Sequence, residues 1–462
     1  MSAAIRPPAF PEPSEGGTFI RKRCFLNLYL AGVIFLLSPA AALAENVILR
    51  WDRVLGQTLQ AGEHPGHILP ARSFAMLHLA MFDAANSVDG AYIPYLIDVP
   101  GGRNASVDAA AAYAAHGVLA GLYPGRKAVL DQELAESLAG IPMHRRFQFR
   151  RIGSIVAGAM LNNRANDGWD TPWTPYSLDP LPGNWQGPTP FPGFAVFTNV
   201  MGVTPFAMSS GIQFLPRTPP ELSSAEYAAS LNNVKERGSL TSSTRTADQT
   251  LTALLWANPP VSDAKMMGVV ASTSVEQGLT TLERSRLFAL AIMAFHDALQ
   301  TTFTSQYTYG RWRPLTAIQR ADEDDNPATT ADPGWASLLP PEATPPHPSY
   351  ASNASSASAS ITKILSLFYE TDDMPFQIDH GPGLGGVRGY PSFTSLANEV
   401  ANSRIYGGAH FQYETAAGQQ AGRDVAMYVF YTRLRPRGPC RPGTGTAEQG
   451  ERNIEKRFGE IR

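Results

Sequence analysis

Residues 403–410 read SRIYGGAH, and the rest of the chain is organised around them. Just upstream, Leu396, Ala397, Val400, Ala401 and Ile405 recur at three- and four-residue steps, the spacing of a helix with one apolar face. The Gly407-Gly408 pair stops that helix. Arg404 therefore falls in its last turn, and His410 lies just past the break, where FQYETAAGQQAGRDVAMYVFY opens a second helical pattern. A guanidinium and an imidazole joined across a tight glycine turn can form an oxyanion site. Arginine supplies a permanently charged fork for oxygen atoms, and histidine can serve as nucleophile, metal ligand or acid/base group. Taken alone, the stretch also fits an arginine on a solvated helix end and a histidine opening the next helix.

Two other segments bear on that choice. QYTYGRWRPLTAI, residues 306–318, contains Arg313-Pro314, and PPHPSYASNASSASAS, residues 345–360, is a proline-rich turn entering a Ser/Ala helix. A protein binds a tetrahedral oxyanion such as phosphate with positive forks and backbone donors. Arg313 and Arg404 can each make two charge-assisted bonds to anion oxygens. Ser352 offers a hydroxyl, and the peptide NH groups of Asn353 and Ala354 fall where a helix begins, itself an anion site.

The order Arg-Pro, then a Pro/Ser turn, then Ser-Arg and a spaced His resembles the vanadium-dependent haloperoxidases and the type-2 phosphatidic-acid phosphatases. The likeness to the secreted bacterial haloperoxidase branch extends to GNWQGPTP, TPFAM, FLPRTPPELSSAEY and SSTRTADQT, so it spans most of residues 48–433. The resemblance implies an all-α fold of helical bundles with the oxyanion site in a C-terminal four-helix-type bundle. It implies vanadate as cofactor, with peroxide and halide as small partners, and His410 as nucleophile or vanadium ligand. Arg313, Ser352, Asn353 and Arg404 would hold the anion. Two positions depart from the family pattern. The lysine expected seven residues before Arg313 is Gln306, and the histidine of the middle motif is Ala354. Arg311 and His347 are the nearest substitutes in sequence for the lost charge and the lost proton carrier. Three functions follow: a haloperoxidase with a reduced set of groups, a phosphate-ester hydrolase using His410 as nucleophile, or a non-catalytic oxyanion-binding pseudoenzyme.

Composition bounds the remainder. The 462 residues, 44% apolar, suffice for one large or two ordinary domains, and a net charge of -3 gives no electrostatic case for nucleic acid. Residues 1–44 read as a secretory leader, with Arg21-Lys22-Arg23, an apolar run over 24–37 and Ala42-Leu43-Ala44 as a cleavage site. The alternative is an uncleaved membrane anchor. Removal of the leader predicts a periplasmic or secreted protein beginning near Glu45. It carries a charge of -5 (four basic and two acidic residues lost) and retains Cys440 alone. Residues 45–222 read as successive helices followed by a Pro/Trp-rich excursion over 168–222, a length that marks a functional cover or a packed strap. Residues 223–433 form the bundle carrying the site, and 434–462 read as a flexible tail. His64, His67, His78 and His116 are expected to be packed or surface histidines rather than ligands, and His296-Asp297 a helix-bundle hydrogen bond or a support for the site.

Overall fold

The computed structural model describes residues 45–61, 68–100, 106–187, 195–257, 259–340 and 346–437, all within one compact unit. The leader, His64, His67 and residues 438–462 lie outside the described residues. The all-α expectation holds. The long helices are α1 (Val47–Ala61), α2 (Ile68–Asp89), α3 (Val107–Leu122), α4 (Lys127–Ser137), α5 (Met143–Arg164), α6 (Ala225–Arg237), α7 (Ala247–Leu255), α8 (Pro259–Glu276) and α9 (Thr281–Tyr309). They continue with the short α10 (Pro314–Gln319), then α11 (Asn353–Phe368), α12 (Phe393–Tyr406) and α13 (Gln412–Thr432). The sequence reading did not anticipate a small antiparallel hairpin, β1 (Phe376–Asp379) with β2 (Val387–Tyr390), in the link between α11 and α12.

Helix starts follow local chemistry. Ser224, Thr246, Thr280, Ser352 and Ser392 each accept the amide three residues on, and Thr246-Gln249 and Thr280-Glu283 close capping boxes. Helix α9 is buried along nearly its whole length, polar residues included, which places it at the centre of the fold. It packs against α2 on one side and against α11 and α13 on the other, while α12 packs on α11 and α13. The bundle that carries the site is therefore α9, α11, α12 and α13. Gly418 and Gly422 allow α13 to lie directly on α11: a Cβ there would meet the carbonyl oxygens of Ser352 and Ser356 at 2.3 and 2.1 Å.

The polar residues of α9 hold the neighbouring segments in place. Asp297 accepts the amides of Phe206, Ala207 and Met208 at 2.9, 2.7 and 3.0 Å, and His296 turns its Nδ1 to the same carboxylate at 3.0 Å. Gln300 donates to the carbonyls of Val200 and Val203. The His296-Asp297 pair is thus the anchor of the 168–222 excursion. A second anchor is Asp167, held by Arg72 at 2.7 Å and Arg164 at 2.9 Å. Apart from one short 3-10 turn, Val200–Gly202, the described part of this excursion is irregular. It lies on the motif segments: the amide of Trp185 donates to Gly310, that of Trp312 to Gly183, and that of Val196 to Pro346.

His78 and His116 pair with Asp52 and Asp131 at 2.9 and 2.8 Å, and no cluster of three metal-ligating side chains occurs among the described residues. Residues 434–437, aperiodic in sequence, are pinned. Leu434 is buried and accepts from Arg286, Pro436 bridges to Tyr92, and Arg437 pairs with Asp98 at 2.7 Å. No described helix is long and apolar enough to cross a membrane.

Candidate oxyanion site

The site forms where the start of α10, the start of α11 and the α12–α13 turn converge. Gly408, at φ +76°, turns the chain back so that the amides of Ala409 and His410 both reach the carbonyl of Arg404. A side chain at Gly408 would meet Ser337 at 2.6 Å as well as demanding the left-handed conformation. This turn delivers His410 inward, fully buried.

The Nε2 of His410 lies 3.1 Å from the Nη1 of Arg313, and its Nδ1 lies 2.8 Å from the Oε2 of Glu414. A guanidinium can only donate. The Nε2 therefore bears the lone pair, and the Nδ1 hydrogen is donated to Glu414. Burial, then the charges of Arg313 and Arg404, hold the imidazole well below its ordinary pKa. A neutral ring with its Nε2 lone pair facing a guanidinium is the state a ligand or nucleophile requires.

Glu414 is the residue that the sequence reading missed. It also accepts the hydroxyl of Ser349 at 2.7 Å and the amide of Phe411 at 3.1 Å. Burial pushes its carboxyl up to about 7 against the opposing pull of Ser349 and Arg313. The signal was present: glutamate three residues after Phe411 occupies the third helical position, where it reaches back to the preceding amides. The same spacing sets it one turn from His410.

Arg313 is buried and its fork is fully used. Nε donates to the His347 carbonyl at 3.1 Å, Nη1 also to the Ala409 carbonyl at 3.2 Å, and Nη2 to the Pro348 carbonyl at 3.3 Å. Nη2 further reaches the Nδ1 of His347 at 3.0 Å. Arg404 differs. Its Nη1 donates to the Trp256 carbonyl at 3.2 Å, whereas its buried Nε has no acceptor among the described residues. Desolvation lowers both guanidinium pKa values to about 10, still charged at neutral pH. Glu414 is the carboxylate that acts on Arg313, and among the described residues no carboxylate pairs with Arg404.

The start of α11 is more self-contained than the sequence implies. The Ser352 hydroxyl oxygen accepts the amide and hydroxyl of Ser355 at 3.4 and 2.9 Å, and the Asn353 side chain accepts the Ala354 amide at 3.1 Å. Of the two amides expected for an anion, the one at Ala354 is engaged inside the turn. Gln306 donates to the Ala351 carbonyl at 2.7 Å, while its buried Oε1 has no partner among the described residues. It fixes the middle motif and contributes no charge. Arg311 is half-buried near Gly183 and acts electrostatically on Glu414.

The donor set fits a tetrahedral oxyanion. The Arg313 guanidinium meets the unprotonated ring nitrogen of His410, one buried carboxylate lies behind the ring, and the charge of buried Arg404, with an NH unsatisfied among the described residues, acts on the same ring. Fold and arrangement define a helical-bundle protein with a buried cluster of two arginines, a histidine and a glutamate. The chain is similar to proteins of the vanadium haloperoxidase superfamily. Residues 286–436 match the family model described as the VCPO second helical-bundle domain. The chain is 26% identical to the vanadium chloroperoxidase of Curvularia inaequalis, over 81% of this chain and 80% of that one. A bacterial vanadium-dependent iodoperoxidase structure shares the fold with a TM-score of 0.70 at 22% identity, covering 85% of this chain and 96% of that one. An apo bacterial vanadium-dependent chloroperoxidase shares it with a TM-score of 0.61 at 16% identity, covering 81% and 97%.

Proposed function

We propose that this protein is a haloperoxidase-like oxyanion binder that takes vanadate, or phosphate in its place, at His410, Arg313, Arg404 and Ser352, and that turns over slowly. The observation that carries the reading is the charge imbalance at the site. Arg404 is buried with no carboxylate partner among the described residues, and an uncompensated buried charge is costly until a counter-ion arrives. The Asn353 amide at the head of α11 adds a further donor. Bound vanadate supplies an electrophilic centre toward peroxide, and a phosphate ester placed there supplies a phosphorus for attack. The protein's own part is to present the His410 lone pair, oriented by Glu414, and to neutralise oxygen charge with the two forks. Anion arrival requires Arg313 to give up its contact with His410 Nε2 and turn that NH to oxygen.

Slow turnover follows from what is missing. Ala354 has no group to move a proton, and general acid/base catalysis of that kind contributes about 10² to 10⁴ in rate. Gln306 supplies no positive charge to a developing oxyanion. The reading also takes the leader as removed and the protein as exported, which N-terminal sequencing of the secreted chain checks. The functional test is restoration: Ala354→His should raise bromide/peroxide or phosphate-ester turnover, and adding Gln306→Lys should raise it further. Wild-type turnover unchanged by both substitutions contradicts the assignment of the missing step.

A further inference from the structure

The Nδ1 of His347 sits between a donor and an acceptor. It lies 3.0 Å from the Nη2 of Arg313, which can only donate, and 3.1 Å from the carbonyl of Pro348, which can only accept. Neutral Nδ1 accepts from the guanidinium; protonated Nδ1 donates to the carbonyl. The protonated state requires the Nη2 hydrogen of Arg313 to turn away, since two donors do not face each other at 3.0 Å. The ring is buried, set edge-on to Phe303 of α9 with centroids 5.0 Å apart, so its orientation is fixed. His347 and His410 engage the two terminal nitrogens of one guanidinium, Nη2 and Nη1. An anion that takes up both Nη1 and Nη2 of that fork displaces the Nη2 hydrogen from the Nδ1 of His347 and lies on the nitrogen that contacts this ring.

We propose that His347 is the residual proton carrier of this site, the source of the slow turnover that remains without a histidine at position 354, holding a proton on Nδ1 and passing it to an oxygen of the bound anion. This rests on the oxyanion-binding reading above. The transfer is a proton exchange alone. The Nδ1–H bond breaks and an O–H bond forms, the nitrogen then accepts from Arg313, and water returns the proton. Among the described contacts, the charged and titratable groups near the ring include Arg313 and, farther off, His410, with Glu414, Arg404 and Tyr307 acting on Arg313.

A protonated His347 adds positive charge and a donor, so it favours the anion, and binding should take up a proton where the free ring is neutral. Affinity should then fall about tenfold per pH unit above the His347 pKa. Calorimetric titration of the full chain with orthovanadate, and separately with inorganic phosphate, in buffers of different ionisation enthalpy reads both quantities. Comparison with His347→Gln removes the titrations of the anion and of Glu414, which are common to both proteins. Expected are proton uptake and a pH slope in the wild type, each reduced by one proton in His347→Gln, and an NMR titration of the His347 ring that moves to higher pH on anion binding. Equal proton uptake and parallel slopes in the two proteins overturn the proposal while leaving the oxyanion reading intact. Absence of binding in the wild type overturns both. Should His347→Gln fail to fold, the ring titration in the wild type decides, and a ring that does not respond to the anion counts against the proposal.

Discussion

Replacing Glu414 tests how the histidine is presented. The carboxylate Oε2 collects the His410 ring at 2.8 Å, the Ser349 hydroxyl at 2.7 Å and the Phe411 amide at 3.1 Å, all in a fully buried setting. Hydrogen bonds to a charged group contribute about 1.5–3 kcal/mol each, and the three share one oxygen, so they do not add. Glu414→Ala should therefore lower stability by at least about 3 kcal/mol, leaving three buried donors unpaired. Glu414→Gln keeps an acceptor oxygen and should lower stability less. It no longer enforces the tautomer, so anion affinity should fall about 10- to 100-fold, the usual cost of losing such a supporting partner. The pH dependence has a definite sign. The folded-state pKa of about 7 exceeds the value of an exposed carboxyl. Between those values the unfolded chain has lost a proton that the folded chain keeps, so stability falls as pH rises across that window. Urea unfolding at pH 5 and pH 7 should show a larger decline in wild type than in Glu414→Gln. Equal declines, together with unchanged anion affinity in Glu414→Gln, refute the reasoning.

Arg404→Met should raise the stability of the anion-free protein by about 1 kcal/mol or more, since a buried charge without a carboxylate is removed. It should weaken anion binding at the same time, and thermal unfolding with and without phosphate reads both signs. Gly418→Ala drives a methyl to 2.3 Å from the Ser352 carbonyl, so it should cost about 1–3 kcal/mol by urea unfolding and lower anion affinity through displacement of Ser352. Asp297→Ala leaves three buried amides of residues 206–208 without their acceptor and should cost about 3 kcal/mol or more, with limited proteolysis cutting first within 168–222.

What the sequence made legible follows from the range of each cause. Helix spacing, serine and threonine caps and the glycine pair act over a few residues, so α12, its end at Gly407 and the inward delivery of His410 were readable from SRIYGGAH. The contact of Arg313 with His410, 97 positions apart, was expected through family resemblance, because no local pattern encodes it. Glu414 was overlooked although its helix-start position is local, because one turn of sequence looks the same whether the glutamate caps a helix or orients a ring. The hairpin over 376–390 is built from two strands of four residues, too short for a period-two pattern to stand out. His347 could be named as a substitute only by counting from Ala354. The placement that matters, beside the Arg313 fork, depends on where the α10 segment meets the proline-rich turn.

The cage itself is tested most directly by equilibrium dialysis of the protein against orthovanadate, with phosphate as competitor. The account predicts one vanadate per chain, displaced by phosphate, and loss of that binding in His410→Ala and Arg404→Ala. Vanadate that fails to bind at millimolar concentration, or binds equally well after both substitutions, contradicts it.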